Sequence, residues 1–265
     1  MTVAKEFREG LGLSLTWPPE MRVEVGDILS MSEGRIHRLG NIRNYGSELQ
    51  VQANSSPGSR RFSSEKGVSA RFKAAGEAPF SYCELVEAHA GVFLELQRND
   101  AVFLHYDSGQ FLEIKGGSAS SLALMLKFAN EDRGKMPHES RFPLGSVLVT
   151  QVVCANAATL VVSAGEKGCV SIDLGASFQT LGPNLEGLSV EGSIVSQHDI
   201  GYASIDKQPC TPLFSGFQLF ANWYGKTDLH QLGDGPGGAV QAPDDKFLPT
   251  DYYGETYEQK PDIFL

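Results

Sequence analysis

The chain has 265 residues, 41% hydrophobic and 20% charged, enough for one large domain or two small ones around a sizeable core. Its 22 basic against 32 acidic residues give a formal net charge of −10, which argues against a general nucleic-acid binder. The four cysteines, Cys83, Cys154, Cys169 and Cys210, form no Cys-x-x-Cys pair and have no histidine at zinc-ligand spacing, so neither a metal site nor another cofactor is expected, and reduced intracellular thiols are favoured over disulfides.

The 29 glycines and 13 prolines lie mostly between strand-like runs, which favours a β-rich fold. No secretory signal is expected at Met1–Leu15, and no stretch reaches the roughly 18 apolar residues of a spanning helix. Any membrane contact is therefore expected through an amphipathic helix or through β-hairpins.

In chain order, Val3, Phe7 and Leu11 predict a short amphipathic helix, either packed on the core or lying on a membrane surface. Leu13–Trp17 reads as a short strand stopped by Pro18-Pro19. Val23–Met31 and Arg35–Leu39 form a strand pair around Ser32-Glu33-Gly34, and Leu49–Asn54 is a short alternating strand. Residues 55–67 are polar and too irregular for strand or helix. Val68, Ala70 and Phe72 then alternate with Ser69, Arg71 and Lys73. Across this window Arg60, Arg61, Lys66, Arg71 and Lys73 face one acid, Glu65. The window is either a solvated loop or a contact for anionic lipid headgroups, at about 1 kcal/mol per basic residue near the surface.

Phe80–Val86, Val92–Gln97, Ala101–Tyr106 and Phe111–Ile114 read as successive strands, with turns at Arg98-Asn99-Asp100 and Asp107-Ser108-Gly109. Ser118 is placed to cap a helix through Asn130 with Leu122, Met125, Leu126 and Ala129 on its apolar face. Glu131–Phe142 is a charged loop. Ser146–Cys154 is β-branched and apolar on both faces, the pattern of a central buried strand. Alternating strands follow between Ala157 and Ile205, carrying Val170, Ile172 and Leu174 and then Leu188, Val190 and Ile194. They are separated by Gly165-Glu-Lys-Gly168 and Leu181-Gly-Pro-Asn184. Of these runs, Leu188–Ser196 comes nearest the roughly 9–11 residues of a membrane strand. Their apolar face lies either on the core of a β-sandwich or against lipid in an oligomeric barrel; alternation alone does not choose. Leu213–Phe220 returns as a buried strand.

From Lys226 the periodicity fails. Eight acids against three lysines give this stretch a charge of −5, and Gly233–Gly238 cannot hold a regular element. The division expected is a domain over residues 1–225 and an extended or partly disordered acidic tail over 226–265, with Tyr252, Tyr253, Tyr257 and Phe264 as docking points. The tail's charge, opposite to that of residues 60–73, makes a screened electrostatic latch a further expectation.

No catalytic motif is present, and the six histidines are scattered. His105 stands beside Tyr106 and Asp107, which spacing alone does not make a triad. Asp244-Asp245 lie in the loose tail. Gly116-Gly117-Ser118 is either an anion-binding helix entry or a plain junction. The chain is not expected to be an enzyme.

Ser146-Val-Leu-Val-Thr-Gln-Val-Val-Cys154 resembles a strand of gasdermin pore-forming domains. Leu188-Ser-Val-Glu-Gly-Ser-Ile194, Lys207-Gln-Pro-Cys-Thr-Pro-Leu-Phe214 and Phe217-Gln-Leu219 resemble the family's next block, and Val23-Glu-Val-Gly-Asp-Ile-Leu29 its early strand. The resemblance runs from Val3 to Tyr224 and is strongest over 144–220. The vertebrate inhibitory C-terminal domain is not matched. Nor is the N-terminal lipid-modified cysteine of bacterial members, since the first cysteine here is Cys83. The fungal regulator-of-cell-death group is the nearest in layout.

The resemblance implies an α+β fold, a twisted antiparallel β-sheet with flanking helices and extended hairpins. It implies a non-catalytic pore former that binds acidic phospholipids, oligomerises into a β-barrel and causes lytic cell death, in the fungal case through co-assembly with an incompatible allelic variant. The protein would be cytoplasmic when soluble and at the plasma membrane when assembled. Lys5, Arg8, Arg60, Arg61, Lys66, Arg71 and Lys73 are the lipid-binding candidates. Leu49–Phe72 with Cys83–Tyr106, and Leu160–Ile205, are the hairpins expected to move, while Ser146–Cys154 and Leu213–Phe220 stay as core. The rival is a non-catalytic β-sandwich binding or scaffold module.

Overall fold

The computed structural model describes residues 13–16, 21–32, 35–54, 58–64, 67–78, 88–132, 139–175, 188–221 and 227–232. The fold is α+β and its strand pairs are antiparallel, as expected. Its centre is β9 (Val147–Ala155), which is apolar on both faces because both faces are covered. Val147, Val149 and Val152 enter one core cluster, Val153 and Ala155 a second, and Leu148 a third. One edge of β9 pairs with β14 (Cys210–Ala221); the other pairs with β8 (Val102–Ile114) and β2 (Asp27–Ser32). Beyond β14 lie β1 (Ser14–Leu15) and β15 (Thr227–Gln231), while β3 (Arg35–Asn41) pairs with β2.

Helix α1 (Ala119–Glu131) covers this sheet by burying Met125 and Ala129 against Ile28, Ile42, Leu148 and Leu219. Ser118 occupies its N-cap but makes no side-chain cap bond. Its backbone is helical there, not extended as capping requires. At the other end Phe142 closes the cluster, its ring 4.9 Å from Tyr45 and 6.0 Å from Phe128.

From β8 the sheet continues on one side through β10 (Ala157–Ser163) to β13 (Ile200–Asp206), and on the other through β4 (Val51–Ala53) and β5 (Gly58–Ser63). A second sheet of four strands runs β12 (Ser193–His198), β11 (Gly168–Gly175), β7 (Ala90–Leu96), β6 (Val68–Lys73). The short helix α2 (Leu188–Glu191) packs against β8, β10, β11 and β13.

Several sequence expectations are corrected. Gly58–Ser63 is a strand despite its polar composition, because β8 supplies a partner: Phe62 stands opposite Leu104 and Arg61 opposite His105. Asp107-Ser108-Gly109 is not a turn. β8 runs through it, with Ser108 alone at φ 53. Arg98-Asn99-Asp100 does turn the chain, but β7 and β8 do not pair; they belong to different sheets. Leu188–Ser196 is not one strand, because Leu188–Glu191 forms a helical turn closed by the Gly192 N–H donating to the Leu188 carbonyl at 3.0 Å. Thr227–Gln231 is a strand on β14, so regular structure continues past Lys226. The helix expected near Val3–Leu11, the strand at Phe80–Val86, Cys83, the Leu181–Asn184 turn and the chain beyond Leu232 lie outside the described residues.

Candidate functional site

The most distinctive local geometry is the corner where the two sheets meet. Four connections cross it: β5 to β6, β7 to β8, β10 to β11, and β12 to β13. The strand order is the same on both sides, β5-β8-β10-β13 in one sheet and β6-β7-β11-β12 in the other. The central register also survives the bend. Val102 stands opposite Val162, and six residues further along each strand Leu96 stands opposite Gly168. Strand order and the central pair are thus continuous across the corner, making a bent four-stranded ribbon, while the two outer pairs shift register there.

Alternation places the side chains consistently. Val92, Leu94, Leu96, Val170, Ile172 and Leu174 line the space between the sheets, while Val102, Leu104, Tyr106, Leu160 and Val162 fill the separate core beneath the first sheet. All occupy even positions in one register. Unbent, the ribbon would carry them on a single face, interrupted at the corner by Arg98, Asp100 and Glu166. The opposite face would carry Glu95, His105, Asp107, Thr159, Ser171 and Asp173 together with the apolar Phe93, Phe103 and Val161, the last two already buried between the sheets. The corner therefore sends the even face into two different cores, and the one between the sheets also takes Phe103 and Val161 from the odd face of the first sheet.

Helix α2 is seated inside the bend. Leu188 joins the core between the sheets, and Ser189 enters a buried polar cluster. The Ser189 Oγ lies 3.1 Å from His105 Nδ1 and accepts from the Thr159 hydroxyl at 3.1 Å, and the Ser189 N–H donates to Asp107 Oδ2 at 3.2 Å. His105 Nε2 stands 3.9 Å from Asp107 Oδ1. Serine, histidine and aspartate thus come together here, but His105 is 2% exposed and Ser189 0%, so the trio is sealed from a substrate. Burial lowers the His105 pKa, Asp107 opposing the shift and Arg61 adding to it. The sequence singled out His105 with Asp107; Ser189 was missed because its approach depends on the long-range seating of α2.

The described lipid-binding candidates lie on β5 and β6. Arg60 and Arg61 are exposed at successive positions of β5, Arg60 stacking over Phe111 at 5.0 Å. Arg71 on β6 is exposed and pairs with Glu95 at 3.5 Å. Lys73 is fully buried in this conformation and donates to the His89 carbonyl at 2.6 Å. Lys5, Arg8 and Lys66 lie outside the described residues. Nearby, His89 Nδ1 and Asp173 Oδ2 are 2.7 Å apart and tie β11 to the segment entering β7. Among the described residues Cys154, Cys169 and Cys210 are free, and no group of three or more His, Cys, Asp or Glu is placed to hold a metal ion. Cys210 is pushed up to about 12 by burial.

No protein-family model matches the chain, and no curated protein matches it. Among solved structures it is similar to the gasdermin A3 membrane pore seen by cryo-electron microscopy, with 12% identity, a TM-score of 0.35, and 86% of this chain and 92% of that chain covered. It is also similar to a bacterial gasdermin from Bradyrhizobium tropiciagri, with 14% identity, a TM-score of 0.35, and 84% and 88% covered. Both likenesses are weak; what the corner can do follows from its own geometry.

Proposed function

We propose that the protein is a gasdermin-like, non-catalytic pore former whose folded ribbon straightens into membrane strands. One observation carries this reading: strand order, central register and apolar parity all continue across the corner, although the folded protein divides the apolar set between two cores. Strands also switch sheets at the corners of static packings; what favours refolding here is that the even positions stay apolar on both sides of the corner. The strands of the second sheet have six to eight residues, short of the roughly 9–11 that cross a bilayer at a tilt. Straightening through the corner supplies the missing length.

The driving force is burial of the even face in acyl chains, roughly 25 cal/mol per Å². A single ribbon would leave two unpaired edges in lipid, on the β5–β6 side and the β12–β13 side, so insertion requires copies to close a barrel. The exposed Arg60, Arg61 and Arg71 would attract acidic phospholipid first. Lys5, Arg8 and Lys66 would add to this, and Lys73 would be released only on opening. Cytoplasmic storage, assembly at the plasma membrane, co-assembly with an incompatible allelic variant and lytic death extend the same reading through the sequence resemblance.

Dye release from anionic vesicles tests it. Release by the protein, or by a mixture with a natural variant, with arc- or ring-shaped particles on the vesicles, is the expected result. No release and no vesicle binding under either condition would return the corner to a static sandwich scaffold.

A further inference from the structure

The buried cluster beneath α2 does no work in membrane insertion itself, and it occupies the place that must open. His105 and Thr159 stand opposite one another on β8 and β10, and Ser189 is held between them and Asp107. The Ser189 hydroxyl also donates to the His105 carbonyl at 3.3 Å, and Leu188 adds an apolar contact. We propose that His105, Ser189, Thr159 and Asp107 form an acid-sensitive pin that holds α2 in the bend and releases it when the imidazole takes up a proton. The pin is a property of the folded chain; only its consequence at a membrane rests on the proposed function.

The charged surroundings set the sign. Asp107 on β8 faces the ring, and Arg61 stands opposite His105 on β5. β10 contributes Thr159, and β13 contributes Ile205 opposite it, neither of them titratable. The facing side of β11 is Val170, Ile172 and Leu174. On α2 the ionisable residue is Glu191, which is exposed at the helix end. Asp107 is the compensating charge at the ring, and burial outweighs it, so the pinned state disfavours the imidazolium. Once α2 lifts and the ribbon unbends, His105 joins the polar face and titrates near the ordinary 6.5. As pH falls through that value the released state binds a proton that the pinned state refuses, so acid favours release. The water-facing side of the opened ribbon is where that charge would be solvated.

Amide hydrogen exchange on the full chain, corrected for the intrinsic pH dependence of exchange, reads the pin directly. Between pH 7.5 and 5.5, opening of residues 188–198 in the unmodified protein should rise by up to about tenfold, the limit set by one imidazole returning to its ordinary value. His105→Gln should abolish that response, and Ser189→Ala should raise opening already at pH 7.5. An unchanged 188–198 segment, or the same acid response in His105→Gln, overturns the pin. Should His105→Gln fail to fold, histidine C2 hydrogen exchange on the unmodified chain decides. An imidazole that titrates at its ordinary value without any opening overturns the proposal, and a depressed midpoint that tracks opening supports it. Dye release from anionic vesicles at the same two pH values separates the readings. Opening without release counts for the pin and against the pore, whereas release without opening counts against the pin alone.

Discussion

Gly192 shows how closely α2 is fitted into the bend. A β-carbon there would lie 2.3 Å from the Leu188 carbonyl oxygen and 2.9 Å from Ile172 Cγ2. Backbone cannot yield as a side-chain tip can, so Gly192→Ala should cost about 1–3 kcal/mol in urea denaturation. The loss should appear with α2 loosened, seen as faster exchange at 188–198; an unaffected midpoint would mean that α2 is less tightly seated than its contacts imply. Asp27 makes a second residue-scale argument. It is fully buried, accepts from Asn41 at 2.9 Å and from the Glu24 N–H at 2.9 Å, and pairs with Arg38 at 2.7 Å. Burial still raises its carboxyl pKa above 3.8. A folded value above the unfolded one means that this group contributes stability at low pH and loses it as pH rises through the folded value. Removing Arg38 takes away a compensating cation, so Arg38→Ala should cost about 1–2 kcal/mol at pH 7, less than a fully buried pair because Arg38 is 42% exposed. At about pH 3, below the ordinary carboxylate value from which burial raises this group, the carboxyl is protonated and the cost should fall away. An Arg38→Ala penalty equal at both pH values in thermal denaturation would show that the guanidinium acts through packing instead.

At the scale of elements, β9 and β14 were legible because a strand covered on both faces must be apolar on both faces. Helix α1 was legible from the spacing of Met125 and Ala129. The corner was not, because pairing in the order β5-β8-β10-β13 is non-local and nothing in a polar run such as Gly58–Ser63 announces a partner 40 residues away. Leu188–Glu191 misled for a related reason: Leu188 and Val190 satisfy alternation, yet the long-range bonds of Ser189 and the close turn at Gly192 select a helix. One sign of the ribbon was nevertheless present in the chain, since Val92, Leu94, Leu96, Val102, Leu104 and Tyr106 keep one parity through the turn between them. Elements built to separate should also be the less protected ones. Amides of β6, β11 and β12 should exchange roughly a hundredfold faster than those of β9 and β14, a difference of about 3 kcal/mol in local opening. Uniform protection across both sheets would argue for a single rigid sandwich.

At the scale of the whole molecule, the charge balance divides at a place the structure makes definite. The stretch after Lys226 was read as tail, yet Thr227–Gln231 pairs along Phe217–Ala221 of β14, and Leu232 is buried in the core of that sheet. Lys226 and Asp228 cancel, so the entire −5 belongs to residues 233–265, where seven acids meet two lysines. Two truncations that differ by eight residues should therefore behave differently. Ending the chain after Tyr224 strips an edge from β14 and removes Leu232, and should lower the melting temperature by several degrees. Ending it after Leu232 leaves every described element in place and moves the net charge from −10 to −5. If the acidic segment screens Arg60, Arg61 and Arg71, this second truncation should bind anionic vesicles more tightly than the full chain at 50 mM salt. The advantage should disappear near 1 M, where the screening length falls to about 3 Å. Co-sedimentation with vesicles at the two salt concentrations measures both effects. Equal binding by the two chains at low salt would remove the electrostatic latch and leave the bend, with α2 pinned inside it, as the restraint on opening.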